Sequence, residues 1–120
     1  MAEKRKFWGT VSPMPAPMIQ AQAHQLEAMG LEGVFSPQVY GPPFVPLAVA
    51  AAATTRLKIA SGIALAFTRS PFETAVAAMD LDMVSGGRFT LGLGSSVRSW
   101  SEGFFGMPYG KPVEHLREVI

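Results

Sequence analysis

Four times along this chain a short apolar stretch gives way to a turn and then to a segment with helical spacing. That alternation limits the chain to parallel strands joined by right-handed helical crossovers. Lys6 to Val11 is rich in β-formers and is broken by Pro13, Pro15 and Pro17. Pro17 suits a first helical turn, Ile19, Ala23, Leu26 and Met29 follow in phase, and Gly30 is a good stop. Gly33 to Ser36 is a second short strand, Pro37 to Pro43 a turn-rich loop, and Val45 to Thr55 an alanine-rich helix with Pro46 near its start. Leu57 to Leu65 is apolar almost throughout, as a strand buried on both faces should be. Ser70-Pro71-Phe72-Glu73 fits a capping box, Phe72, Val76, Met79 and Met83 share one helical face, and Ser85-Gly86-Gly87 closes the helix. Arg88 to Leu93 is the fourth strand, followed by a long loop to Lys111 and a helix opened by Pro112 with Val113, Leu116 and Ile120 in phase.

Two architectures accommodate four such units: a small doubly wound sheet, or part of a (β/α)8 barrel, which needs about 250 residues. The chain has 120 residues and stops inside its last helix, which favours the first half of a barrel, truncated in the fourth helix, as a single partial domain over residues 1–120. Other classes fall away on composition. The net charge is +1, and Lys4, Arg5 and Lys6 form an isolated basic trio rather than a stripe, so nucleic acid is not an expected partner. There is no cysteine, which removes disulfides and thiolate metal sites. No apolar run approaches the ~20 residues a bilayer span needs, and the first residues lack a signal-peptide core, so a soluble, cytoplasmic protein is expected.

Few side chains announce chemistry. His24 and His115 lack metal-ligand spacing and are expected at the surface. Asp80 and Asp82 flank Leu81 and cannot share a helix face, while Met14, Met18 and Met29 read as packing residues. Arg69 and Arg98 follow strands and could meet an anionic tail or serve the structure. Gly92-Leu93-Gly94-Ser95-Ser96-Val97 begins like a dinucleotide fingerprint, but its sixth residue is Val97 and both glycines precede the turn. In a barrel, however, residues that follow a strand face the working end, which places Ser95 and Ser96 there.

The stretch Leu57 to Gly94, LKIASGIALAFTRSPFETAVAAMDLDMVSGGRFTLGLG, resembles the bacterial-luciferase-like family, whose members use FMN or the deazaflavin coenzyme F420. The match lies in an apolar strand with a small-residue bulge, a loop ending in Ser-Pro, a helix, a Ser-Gly-Gly-Arg-Phe link and a strand ending Gly-Leu-Gly. Val34 to Phe44, VFSPQVYGPPF, is similar to the second loop of a deazaflavin-dependent subgroup. The resemblance implies an oxidoreductase barrel in which F420, with FMN as the alternative, carries the redox chemistry. It implies that Gly62–Ile63 is a bulge joined by a non-prolyl cis peptide, with Gly62, Ile63 and Ala64 supporting the cofactor ring and Ser95 and Ser96 contacting the cofactor. Ser36, Gln38, Tyr40 and Trp100 would line the substrate side.

Some deazaflavin dehydrogenases of this family carry an Asp-His pair where this chain has Ser36-Pro37-Gln38, so no catalytic residue is assigned and the proton donor is unknown. The expected partners are a small-molecule substrate and further copies of the chain, in a homo-oligomer, with no metal. An FMN-dependent monooxygenase and a non-catalytic doubly wound binding module are the rival readings. The half-barrel alone is expected to be inactive and to expose Ile59, Ile63 or Leu91 on its uncovered inner face.

Overall fold

A computed structural model describes residues 3–120. Its elements are β1 (Trp8–Thr10), α1 (Ala16–Ala28), β2 (Gly33–Ser36), α2 (Phe44–Ala52), β3 (Lys58–Ser61), β4 (Ala64–Leu65), α3 (Pro71–Val84), β5 (Phe89–Thr90), β6 (Leu93–Gly94), α4 (Arg98–Gly103) and α5 (Pro112–Val119). Strands β1, β2, β3 and β5 pair in that order, all parallel, and β4 pairs with β6 as a second parallel ladder. This is the expected α/β architecture of sequential βα units.

The register explains which side chains form the core. Val34 lies opposite Ile59, which lies opposite Phe89. These positions face the helices, where Val34, Ile59, Leu57, Leu47, Ala50, Ala51, Ile19, Ala23 and Leu81 form one cluster. Ile59 is therefore wholly buried, 0% exposed, which corrects the expectation that it would lie bare on the inner face. The opposite face carries Trp8, Phe35 and Ala60, all incompletely covered. Ile63 is 38% exposed, as expected, and Leu91 is half-buried.

Both long strands are broken, the third at the expected bulge and the fourth where a continuous strand was expected. The third is interrupted at Gly62–Ile63, whose peptide bond is cis. The fourth, expected over Arg88 to Leu93, is interrupted at Leu91–Gly92. Here the Ser61 hydroxyl takes the place of the ladder, accepting from the Gly92 N–H at 2.8 Å and donating to the Gly92 carbonyl at 2.9 Å. A side chain at Gly92 would collide with the Ser61 carbonyl oxygen, so the two strands approach this closely only because residue 92 is glycine.

The helices start and stop where their caps dictate. Ser70 Oγ accepts the Glu73 N–H at 3.1 Å, and Gly86 and Gly87 end α3 with φ of 67° and 83°. The apolar face of α3 turns outward, however: Phe72, Met79 and Met83 are more than 70% exposed. Thr74, Ala77, Ala78 and Leu81 face inward instead, because small side chains let the helix lie close to the sheet. The loop expected from Gly94 to Lys111 contains α4, a helix too short to show an apolar period.

Two charged side chains tie the amino ends of the strands. Glu27, in the last turn of α1, accepts the N–H groups of Thr55, Arg56 and Leu57 at 2.9–3.3 Å. Partial burial raises its pKa, but the three N–H groups and the Arg56 charge outweigh this and hold it below the ordinary glutamate value. Arg88 donates to the carbonyls of Ala51, Thr54, Leu57 and Ser85 and to Thr54 Oγ1, at 2.5–3.1 Å.

Replacing Arg88 with Met should lower the unfolding free energy by about 2–4 kcal/mol, read from urea denaturation, because it strands buried carbonyls. A carboxylate with a depressed folded pKa stabilises above its unfolded value and loses that contribution as pH falls through the folded one. Urea midpoints of the parent should therefore fall as the pH drops below the ordinary glutamate value of 4.5, and Glu27→Gln should be less stable at neutral pH with a shallower acid-side fall.

Candidate active site

At the carboxyl ends of the strands, three loops are stitched to one another through backbone groups. The Gly62 N–H donates to the Ser36 carbonyl at 3.0 Å, and the Gln38 N–H to the Ile63 carbonyl at 3.0 Å. Ala64 N–H reaches the Gly92 carbonyl at 2.8 Å. The Gly62–Ile63 break therefore sits between β2 and β6, held from both sides. A Cβ on Gly62 would lie 2.8 Å from the Phe35 ring, so that ring packs directly on the glycine. The Ile63 side chain lies in the space that a Cβ on Gly94 would need and in van der Waals reach of Gly92. The result is a shelf of Ile63 and two glycines, apolar and partly open to solvent.

Ser95 and Ser96 follow directly, both half-buried, with Ser96 at φ 58°. The Ser95 hydroxyl faces the Ser96 carbonyl at 3.4 Å, and that carbonyl also accepts from the Tyr109 hydroxyl at 2.9 Å. Ala64 is wholly buried behind the shelf, so only its backbone can support it.

The expected substrate-side residues divide. Ser36 is 0% exposed and its hydroxyl is buried without a partner. Being in phase with Val34, it lies on the helix side of β2, so its hydroxyl offers no exposed contact. Gln38 is also buried, and its side chain is spent. Its Oε1 accepts from the Leu65 N–H at 2.8 Å and from Arg69 at 2.7 Å, and its Nε2 donates to Thr68 at 3.3 Å. Gln38 thus locks the loop after β2 to the loop after β4.

Tyr40 and Trp100 do come together, stacked at 5.5 Å between centroids, with Phe104 against both. The Trp100 indole donates to the Val39 carbonyl at 2.9 Å, fixing α4 over the second loop. Phe35, Phe104 and Thr68 were not foreseen as contributors; no pattern of spacing marks them, because each is placed by a different element.

Arg69 and Arg98 take the structural option. Arg69 is committed to Gln38 and the Leu65 carbonyl, lies over the Phe44 ring, and burial lowers its pKa. Arg98 pairs with Glu102 at 2.6 Å and sits 5.2 Å from the centre of the Tyr109 ring. His24 is exposed as expected, but His115 is not a free surface residue: its ring stacks on Phe67 at 3.8 Å and its Nδ1 lies 3.0 Å from the Tyr109 carbonyl.

Parallel βα units with their loops stitched together at one end fit a segment of a (β/α)8 barrel, a fold whose active sites lie at the carboxyl ends of the strands. The chain belongs to the luciferase-like monooxygenase family, whose model matches residues 4–120. An uncharacterized protein of Mycobacterium tuberculosis is 37% identical over 119 residues, which cover 99% of this chain and 35% of that protein. Another protein of that organism, provisionally named a coenzyme F420-dependent oxidoreductase, is 34% identical over 115 residues, 95% of this chain and 32% of its own length. The chain thus spans about a third of the curated relatives it matches.

Among solved structures, the coenzyme F420-dependent tetrahydromethanopterin reductase of Methanopyrus kandleri superposes with a TM-score of 0.78 at 25% identity, over 95% of this chain and 38% of that one. The FMN-bound oxygenating constituent of a diketocamphane monooxygenase of Pseudomonas putida gives 0.81 at 16% identity, over 95% and 37%. The second likeness is one of fold. The chain corresponds to the N-terminal part of such a barrel.

Gln38→Leu should leave the Leu65 N–H without its acceptor. Hydrogen exchange at Leu65 should accelerate by about tenfold or more, with a loss of roughly 1–3 kcal/mol in stability. Unchanged exchange would show that Gln38 does not hold the third loop.

Proposed function

We propose that this chain supplies the cofactor shelf and one wall of the substrate site in a luciferase-like oxidoreductase that uses coenzyme F420. The transfer would be of a hydride, to or from a small organic molecule. The observation that carries the proposal is the shelf at Gly62–Ile63. It presents the partly exposed Ile63 side chain at the strand ends, on segments that close up against one another because residues 62, 92 and 94 are glycine. Such a surface suits one face of an isoalloxazine-like ring system. The name of the 34%-identical relative and the 25%-identical reductase favour the deazaflavin over FMN.

When bound, the cofactor supplies the hydride chemistry. The chain's own residues orient it and keep water away. Ile63 would lie against the ring, with Gly62 and Ala64 holding that strand segment from behind. Ser95 and Ser96 would offer hydroxyl groups at its edge. Ser36-Pro37-Gln38 contains no titratable group, so these three residues would not serve as the proton donor.

Coenzyme F420 and FMN, titrated separately into the protein that carries this chain, should separate the two cofactor readings. F420 should bind at micromolar concentration or tighter and at least about tenfold better than FMN. Gly62→Val should weaken F420 binding by about tenfold or more, because the new side chain meets the Phe35 ring and displaces Ile63. Tighter binding of FMN would transfer the assignment to a flavin monooxygenase, and binding of neither would end the cofactor reading.

A further inference from the structure

Ser96 is the one non-glycine residue with a left-handed backbone among the described residues, at φ 58°. A Cβ disfavours that conformation, so a serine stays in it only where its surroundings hold it there. Here the chain leaves β6 and turns towards α4, at the edge of the shelf.

What holds Ser96 is a bond from further along the chain. Its carbonyl accepts from the Tyr109 hydroxyl at 2.9 Å, and the Ser95 hydroxyl lies 3.4 Å from the same oxygen. Because the peptide unit is planar, fixing that carbonyl fixes the whole unit after Ser96, and with it the path from Ser95 to Val97.

Tyr109 is itself seated from three sides. Its ring meets Phe67, from the loop after β4, edge-on at 5.6 Å. Its carbonyl lies 3.0 Å from His115 Nδ1, and since a carbonyl only accepts, that nitrogen is the donor. His115 in turn stacks on Phe67, with 3.8 Å and 7° between the rings, and Phe67 is buried beneath them. On α4, the Arg98 guanidinium lies 5.2 Å from the centre of the Tyr109 ring and donates to the Gly110 carbonyl at 3.1 Å. The third loop, α4 and α5 thus place the tyrosine, and the tyrosine places Ser96.

We propose that Tyr109 is a positioning residue, whose hydroxyl holds Ser96 in the left-handed turn and so sets where the Ser95 and Ser96 hydroxyls stand at the cofactor's edge. The proposal rests on the reading of those two serines as cofactor contacts and names the side chain that acts through them. Tyr109 itself need touch neither cofactor nor substrate.

The test is a double-mutant cycle in the protein that carries this chain. Tyr109→Phe removes the hydroxyl and keeps the ring that packs on Phe67. It should weaken binding of coenzyme F420, or of FMN if that is the tighter ligand of the parent, by about fivefold to tenfold. Glycine takes the left-handed conformation about as readily as the right-handed one, so in a Ser96→Gly background the same substitution should weaken binding by no more than about twofold. Ser96→Ala also removes the serine hydroxyl but keeps Cβ, and in that background the loss should remain about fivefold or more. Urea midpoints without cofactor should follow the same pattern: the fall caused by Tyr109→Phe should shrink by about half or more in Ser96→Gly and persist in Ser96→Ala. A cooperative urea transition shows that each variant is folded.

An affinity indifferent to Tyr109→Phe would overturn the proposal. So would a loss of equal size in the parent, Ser96→Gly and Ser96→Ala, because a general loosening of the loop behaves that way. Coupled urea midpoints with uncoupled affinities would confine Tyr109 to stability and reject its role toward the cofactor. A parent that binds neither cofactor would end the cofactor reading and this role with it, while the urea cycle separately decides whether Tyr109 holds Ser96.

Discussion

The Arg88 guanidinium holds together the end of the molecule on which everything else is built. Five hydrogen bonds run from one side chain to the last turn of α2, to the start of β3 and to the turn after α3. The groups it satisfies are backbone carbonyls that a short helix-to-strand turn cannot pair by itself. With the α2 and α3 ends fixed there, β3 and β5 leave in register, and Glu27 does the same for the turn into β3 through three successive N–H groups. Charged side chains serve the amino ends of the strands because the turns there expose backbone groups of both signs.

The other end of the strands is held differently. The ties across the shelf are the Ser61 hydroxyl, the Gln38 amide with the Arg69 guanidinium on its oxygen, and backbone bonds across the Gly62–Ile63 break. Arg69 is half-buried in this arrangement, and the side chain that the shelf presents is Ile63. Arg69 and Arg98 both bond within the fold, Arg69 to Gln38 and the Leu65 carbonyl and Arg98 to Glu102.

Much of this was legible in the sequence where a local rule acts alone. Gly33 to Ser36, set off by Pro37, is the observed β2, and Ser70-Pro71 and Gly86-Gly87 bound α3 as their caps require. The break at Gly62 came from family resemblance, because composition shows only an apolar run. What periodicity could not decide was direction. The stripe of Phe72, Val76, Met79 and Met83 is real, yet Thr74 and Leu81 face the sheet, since the choice between faces depends on how closely the helix must approach. Ile59 was misplaced for a related reason: in a strand apolar on both sides, only register tells inward from outward. Ser36 and Gln38 were placed at the right end of the strands, but their burial depends on partners nearly 30 residues away, such as Leu65, which no local pattern reveals.

The lock formed by Gln38 bears on how such a barrel can change. Its amide joins the second loop, which carries Tyr40, to the third, which continues from the shelf. Substitutions in the two loops are therefore expected to be epistatic: a change at residues 37–43 also shifts the segment at 65–69. Diversification of this face would proceed by paired exchange of both loops, whereas the loop carrying α4, linked to the second by one indole hydrogen bond, is free to vary more independently.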